Sequence, residues 1–70
     1  MKIILFKSTT CPQCKVAKMK LEKKGLPFIE EMDMNVMAEY GVNSIPTLLV
    51  NGEKITGIRN ISNWIDAQEV

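Results

Sequence analysis

Apolar and polar positions along the chain predict four strands and three helices. Short uninterrupted apolar runs are typical of strands buried on both faces, whereas apolar residues three and four positions apart indicate helices. In chain order the predicted elements are a strand at 2–7, a helix at 15–24, a strand at 27–32, a helix at 34–40, strands at 47–50 and 53–56, and a last helix carrying Ile61, Trp64 and Ile65. This order, β-α-β-α-β-β-α, predicts an α/β fold with a four-stranded mixed sheet and helices on both faces.

The first predicted helix has clear signals at both ends. Pro12 suits the first helical position, because the N–H group that proline lacks would have no helical partner there. Gly25 followed by Pro27 predicts the end of the helix. The residues predicted to face the core are Cys14, Ala17 and Leu21. The residues predicted to face solvent on the opposite row are Lys15, Lys18 and Glu22.

The strongest local signal lies near the end of the chain. Asn51-Gly52 separates two strand-like segments, a pattern that predicts a two-residue type I′ hairpin. The first two strands are separated by a helix, so they are expected to be parallel. The leading proline and paired glutamates of the segment 27–32 suit a strand at the sheet edge.

Short polar residues are the expected caps of the two later helices, with two candidates for each: Asp33 or Asn35, and Asn60 or Ser62. Met34 and Met37 are expected to fill gaps in the core. Trp64 is expected to anchor the last helix to the core rather than to stack against a substrate.

Length and charge exclude several function classes. Seventy residues allow one domain, residues 1–70, and leave no room for a dinucleotide-binding domain. Basic and acidic residues nearly balance, which argues against a nucleic-acid partner. No apolar segment is long enough to span a membrane and no targeting segment precedes the first strand, so we expect a cytoplasmic protein.

Charge is nevertheless distributed unevenly along the chain. Lysines concentrate in the first 24 residues, whereas carboxylates dominate from Glu30 onward. This pattern is typical of an ordinary solvated helix face. It also fits a cationic surface beside the cysteines that docks an acidic partner.

Cys11 and Cys14 are the only cysteines, and the chain has no histidine. They lie where a predicted buried strand leads into a helix, with Cys11 at the helix N-terminus. The free N–H groups and the dipole of a helix N-terminus favour an anion such as a thiolate. A reactive thiolate with a second thiol one turn away can perform thiol–disulfide exchange, which is the hypothesis that the pair favours.

Two other interpretations of the cysteine pair remain. A Cys-x-x-Cys motif supplies half of a four-ligand zinc site, although this chain offers neither histidine nor a further cysteine for the other half. The two cysteines could also be inert structural residues, which is an unusual role for a helix N-terminus that follows a buried strand.

The motif Cys11-Pro12-Gln13-Cys14 at a strand-to-helix turn resembles the thioredoxin superfamily. Ser44-Ile45-Pro46-Thr47 before a hairpin, with Gly57 beyond it, resembles the same superfamily. The resemblance covers nearly the whole chain and implies a thioredoxin fold. It also implies that the Ile45–Pro46 bond is cis, that Pro46 lies against the cysteine pair, and that the Ile45 backbone pairs with an incoming substrate. From the sequence alone, Pro46 could equally open an ordinary strand.

Within the superfamily the chain resembles the glutaredoxin branch, because it is short and has no tryptophan before the first cysteine. Gln13 in the Cys-x-x-Cys motif and the segment Thr56-Gly57-Ile58-Arg59 are similar to NrdH-type redoxins, which are glutaredoxin-like hydrogen donors of ribonucleotide reductase. Pro12 is instead the residue usual in glutaredoxins, and Ile45-Pro46-Thr47 is closer to thioredoxin. The chain therefore combines features of several branches.

Two departures from glutaredoxins bear on glutathione binding. Glutaredoxins usually carry Gly-Gly-Cys-Asp where this chain continues from Gly57 with Ile58-Arg59-Asn60. They often place a lysine three residues before the first cysteine, where this chain has Ser8, with Lys7 one position earlier. A shift of one residue in a strand turns the side chain to the other face. Both departures weaken the expectation of a glutathione site.

The residues and the resemblance together imply a dithiol mechanism. Cys11 is the expected nucleophile and Cys14 the resolving thiol, and their redox-active disulfide is the only cofactor expected. The expected supporting residues are Thr10, Pro12, Gln13, Ile45 and Pro46. The residues expected to contact substrate or partner are Lys7, Thr47, Gly57, Ile58, Arg59 and Asn60.

The resemblance also implies the partners. We expect a monomer that reduces protein disulfides, with ribonucleotide reductase as a candidate substrate. We expect thioredoxin reductase to recharge it in preference to glutathione. The alternatives are a glutathione-dependent glutaredoxin and, in a different class, a protein that uses the cysteine pair to bind a metal or an iron–sulfur cluster.

Overall fold

The computed structural model describes residues 2–68 and contains the seven elements in the predicted order. In chain order they are β1 (Ile3–Phe6), α1 (Pro12–Lys24), β2 (Ile29–Glu31), α2 (Met34–Glu39), β3 (Thr47–Val50), β4 (Glu53–Thr56) and α3 (Ile58–Asp66). The four strands form one sheet in the order β2-β1-β3-β4. Strand β1 is parallel to β2 and antiparallel to β3, and β3 and β4 form an antiparallel hairpin. The predicted thioredoxin-type α/β fold is confirmed.

Strand β1 is buried on both faces, as its apolar run predicted. Side chains alternate across a strand, so Ile3 and Leu5 belong to one core cluster and Ile4 and Phe6 to the other. Strand β3 divides in the same way between the two clusters. The two central strands therefore supply a core on each side of the sheet.

Helices α1 and α3 pack together on one face of the sheet. Their buried residues are Ala17 and Leu21 of α1 and Ile61 and Ile65 of α3, which join the cluster containing Leu5. Helix α2 covers the other face through Met37, which is buried with Phe6. Trp64 is half-buried at the margin of the first cluster, which agrees with its predicted contact with the core.

The hairpin and the ends of α1 follow their local signals. Asn51 and Gly52 both have positive φ, at 51° and 89°, as a type I′ turn requires. Helix α1 begins at Pro12 and ends at Lys24. Gly25 caps it, because its left-handed backbone lets its N–H bond to carbonyl groups of the last turn. Asp33 caps α2 by accepting a hydrogen bond from the backbone N–H of Asn35 at 2.8 Å.

Three local predictions were wrong. Met34 is 81% exposed rather than part of the core, because α2 buries only the side that carries Met37. Helix α3 begins one residue after Gly57 and has no side-chain cap, so neither predicted capping residue holds that role. Strand β2 spans three residues rather than six, because its pairing with β1 covers only that length.

The predicted solvent row of α1 is confirmed at Lys15 and Glu22, which are exposed, and is wrong only at Lys18. A second row on the same helix is also exposed. It consists of four residues spaced four, three and four positions apart: Pro12, Val16, Met19 and Lys23. The predicted solvent row included Lys18, which is only partly exposed and contacts Glu30. The row formed by Pro12, Val16, Met19 and Lys23 is called the outer row below.

Candidate active site

One end of the sheet brings together the segments that carry the candidate residues. Strand β1 ends at Phe6, which pairs with Thr47 at the start of β3, and Thr47 pairs with Thr56 at the end of β4. The segments that follow β1 and β4 and precede β3 therefore leave the sheet at the same end. These segments contain Cys11, Pro46 and Gly57.

Cys11 and Cys14 form a disulfide, with their Cα atoms 5.2 Å apart. Cys11 is the N-cap of α1, with extended backbone, and Cys14 lies in the first turn. The Sγ atom of Cys11 accepts a hydrogen bond from the backbone N–H of Cys14 at 3.1 Å. A thiolate at Cys11 would have this same N–H group and the helix dipole to stabilise it. The first turn of α1 contains no acidic residue to oppose that charge.

The two cysteines differ in accessibility. Cys14 is fully buried, because it lies on the row of α1 that faces the core beside Ala17. Cys11 is half-exposed, and the neighbouring Pro12 and Gln13 are exposed. An incoming sulfur atom can therefore reach Cys11 but not Cys14. The two sulfur atoms therefore differ in their access to a partner sulfur in solution.

The segment around Pro46 is held by hydrogen bonds from two sides. The Ile45–Pro46 peptide bond is cis. The carbonyl of Pro46 accepts a hydrogen bond from the backbone N–H of Gly57 at 3.0 Å. The hydroxyl of Thr47 donates to the carbonyl of Ser44 at 2.7 Å. Pro46 and Thr47 are buried and Ile45 is half-buried, so this segment is a fixed part of the site end of the sheet.

The start of α3 brings the last group of predicted residues to the same end. Gly57 has a φ of 88°, in the region that favours glycine, and directly precedes the helix. Ile58 is half-buried, whereas Arg59 and Asn60 are exposed. The side-chain amide of Asn60 donates to the carbonyl of Thr56 at 3.0 Å. The predicted site residues are thus gathered at one end of the sheet.

Comparison with known proteins identifies the family. The sequence model of the glutaredoxin family, described as Glutaredoxin, matches residues 3–55. The chain belongs to the glutaredoxin family. A protein of this family with a close cysteine pair at a helix N-terminus is a redox protein.

One solved structure is similar over almost the whole chain. It is the crystal structure of a point mutant of the thioredoxin-like protein BC3987, with a TM-score of 0.75 and 22% sequence identity. The alignment covers 96% of this chain and 97% of that one. At this identity the likeness supports the fold alone. A search of curated protein sequences found no significant match.

Two further findings on this glutaredoxin-family chain concern metal binding and membrane-spanning helices. Within residues 2–68, no three or more cysteine, histidine, aspartate or glutamate side chains are grouped so that they could hold a metal ion. In the same part of the chain, no helix is long and apolar enough to cross a membrane.

The ammonium group of Lys7, a residue predicted to contact a partner, forms an ion pair within the molecule. Its Nζ atom lies 2.6 Å from Oε1 of Glu30, and the Nζ atom of Lys18 lies 3.4 Å from the same oxygen. The hydrogen bond from Lys7 is the main cause of a lowered pKa for the Glu30 carboxyl, and Lys18 adds to it. Sequence analysis did not identify Glu30 as a partner of either lysine. No local signal could have done so, because the parallel register of β1 and β2 brings Lys7 to Glu30, and Lys18 reaches the same carboxylate from α1.

The Glu30 carboxylate predicts a small dependence of stability on pH. Its pKa is lower in the folded state, so its contribution is present above the ordinary glutamate pKa and is lost as the pH falls through the lowered value. Because the group is partly exposed, we expect the free energy of unfolding of wild type to exceed that of Glu30→Gln by no more than about 1 kcal/mol at about pH 7. We expect this difference to become smaller when the pH is lowered to about 3. Urea unfolding at both pH values measures it.

Glu53→Gln is the matched control, because Glu53 is an exposed carboxylate with no ion pair within residues 2–68. Its effect should be smaller at about pH 7. If Glu53→Gln and Glu30→Gln have the same pH profile, the two lysines do not stabilise Glu30.

Proposed function

We propose that this protein reduces protein disulfides by dithiol exchange through Cys11 and Cys14. The observation that carries the proposal is the difference between the two cysteines, with Cys11 half-exposed at the N-cap of α1 and Cys14 fully buried behind it. Family membership supports the same chemistry. The enzyme is a thiol–disulfide oxidoreductase whose own disulfide stores the oxidised state.

In the reduced protein, the thiolate of Cys11 attacks one sulfur of the substrate disulfide. A bond forms between that sulfur and Cys11, the substrate S–S bond breaks, and the departing thiolate takes a proton from solvent. Cys14, after losing its proton, attacks the Sγ atom of Cys11 and releases the second substrate thiolate. Two electrons pass to the substrate, and the protein is left with the Cys11–Cys14 disulfide.

We propose thioredoxin reductase rather than glutathione as the electron source. Binding glutathione requires an acceptor for the ammonium of its γ-glutamyl group, ideally an aspartate at the start of α3. Arg59 and Asn60 occupy that corner here. Arg59 adds a positive charge that repels the ammonium, and the side-chain amide of Asn60 is neutral and already donates to Thr56. A charge-assisted hydrogen bond is roughly twice as strong as a neutral one, so the lack of the aspartate disfavours glutathione.

The biological role proposed is that of a cytoplasmic, monomeric hydrogen donor, with ribonucleotide reductase as the candidate substrate. Two sequence features support it: Gln13 within the cysteine motif and the segment Thr56-Gly57-Ile58-Arg59, both similar to NrdH-type redoxins. Reduction of a ribonucleotide reductase disulfide by the purified dithiol protein tests this role directly.

The electron source can be tested by following NADPH consumption with the oxidised protein. We expect rapid consumption with thioredoxin reductase and slow consumption with glutathione plus glutathione reductase. Asn60→Asp adds the missing acceptor and should speed reduction by glutathione several-fold. Asn60→Ala, the matched control, loses the bond to Thr56 without adding a carboxylate and should not. If wild type is reduced efficiently by glutathione plus glutathione reductase but not by thioredoxin reductase, the protein is an ordinary glutathione-dependent glutaredoxin.

A further inference from the structure

The outer row of α1 exposes apolar side chains that the catalytic mechanism does not use. Val16 is 45% exposed and Met19 67% exposed, and the two are adjacent on the helix surface. With Lys20, Glu22 and Lys23 they line a shallow depression of about 560 Å³. Exposed apolar side chains grouped in this way and rimmed by charged residues are characteristic of contact surfaces.

The helix that carries this depression is predominantly positive, although the depression itself is lined by Glu22 as well as by Lys20 and Lys23. Helix α1 contains five lysines and a single carboxylate, Glu22. Lys18 and Lys20 have carboxylate partners in Glu30 and Asp66. Lys15 and Lys23 have no carboxylate within ion-pair distance among residues 2–68. A protein surface that fits here must therefore bring negative charge around an apolar contact.

The charge and the small apolar area argue against other occupants. A second copy of the chain would place two cationic helices against each other. A lipid surface requires a wide apolar helix face, whereas α1 exposes only Val16, Met19 and, at its first position, Pro12, and it buries Leu21 in the core.

The position of the outer row connects it to the reacting sulfur. It begins at Pro12, next to Cys11, and continues to Lys23, which is about 16 Å along the helix at about 1.5 Å per residue. A small disulfide at Cys11 cannot reach along this length, but a protein disulfide can.

We infer that the outer row docks the disulfide-bearing protein substrate of Cys11 through an acidic surface with an apolar centre. The inference rests on the proposed function and adds the chemistry of the substrate to it. The docking energy raises the rate with acidic protein disulfides and leaves the rate with small disulfides unchanged.

The test measures oxidation of the pre-reduced protein in a single turnover, which requires no reductase. Insulin serves as an acidic protein disulfide and bis(2-hydroxyethyl) disulfide as a small neutral one. At low salt, Lys23→Glu should lower the second-order rate constant with insulin about 3- to 10-fold, and Met19→Gln up to about 5-fold. Neither should change the rate with the small disulfide, and added salt should reduce the difference between wild type and Lys23→Glu.

Lys2→Glu is the matched control for net charge. Lys2 is exposed at the start of β1, beside the hairpin turn and at the opposite end of the sheet from Cys11. If Lys2→Glu slows insulin reduction as much as Lys23→Glu, only net charge matters and the inference is overturned. The inference is also overturned if both outer-row variants reduce insulin at the wild-type rate. If, in that case, wild type binds phosphatidylserine vesicles and Lys23→Glu does not, the outer row binds a lipid surface instead. If wild type reduces neither disulfide, the proposed function fails and the inference with it.

Discussion

Replacing Cys11 with serine is expected to abolish disulfide reduction, whereas replacing Cys14 with serine should trap a mixed disulfide between Cys11 and the substrate. Only Cys11 combines exposure with the hydrogen bond from the Cys14 N–H group and the helix dipole. Without Cys14, no internal thiol remains to release the substrate. Mass spectrometry of each variant after incubation with a protein disulfide detects the covalent complex.

The fold should survive the Cys11 substitution, because serine is a preferred N-cap and its oxygen can accept the same hydrogen bond. Cys14 is fully buried, and a hydroxyl there costs about 1–3 kcal/mol unless it finds a partner, so Cys14→Ala provides a second test of trapping. Faster alkylation of Cys14 than of Cys11 in the reduced wild type at mildly acidic pH would reverse the assigned roles.

Replacing Phe6 with alanine is expected to cost about 3–5 kcal/mol of unfolding free energy. Phe6 is fully buried between the sheet and α2, and its ring centroid lies 5.6 Å from that of Tyr40. At roughly 0.05–0.15 kcal/mol per residue, a domain of this length has a total stability of only about 3.5–10 kcal/mol. A large share of the variant should therefore be unfolded at 25 °C, which urea titration followed by Trp64 fluorescence measures.

Two variants test whether this loss is due to the buried volume of Phe6. Phe6→Leu keeps much of that volume and should lose clearly less stability. Met34→Ala removes a side chain of similar size that is 81% exposed, and it should be nearly neutral. A loss below about 1 kcal/mol in Phe6→Ala would show that α2 is not held against the sheet as described.

The local features of the chain were predictable because each depends on neighbours in sequence. Asn51-Gly52 predicted its hairpin, since few other residue pairs accept positive φ at two successive positions. The spacing of Cys14, Ala17 and Leu21 predicted the buried side of α1, and all three are fully buried. The place of the cysteine pair between a buried strand and a helix followed from the same kind of pattern.

The failed predictions concern contacts between elements. The exposure of Met34 depends on how α2 lies on the sheet, and a methionine in sequence is compatible with either side of the helix. The absence of a side-chain cap on α3 follows from the path of the chain through Gly57, whose N–H bonds to Pro46 across the site. Helix propensity carries no information about that bond.

Local patterns in the sequence were sufficient to predict the order of elements, the hairpin and the location of the cysteine pair, because hydrophobic spacing, backbone preferences and helix ends act over a few residues. Which distant groups come into contact depends instead on the packing of whole elements. The register of β1 and β2 places Glu30 beside Lys7, and the packing of α1 against α3 leaves Val16 and Met19 exposed. These arrangements depend on how whole elements share a limited buried volume, and so they cannot be derived from any one segment of the chain.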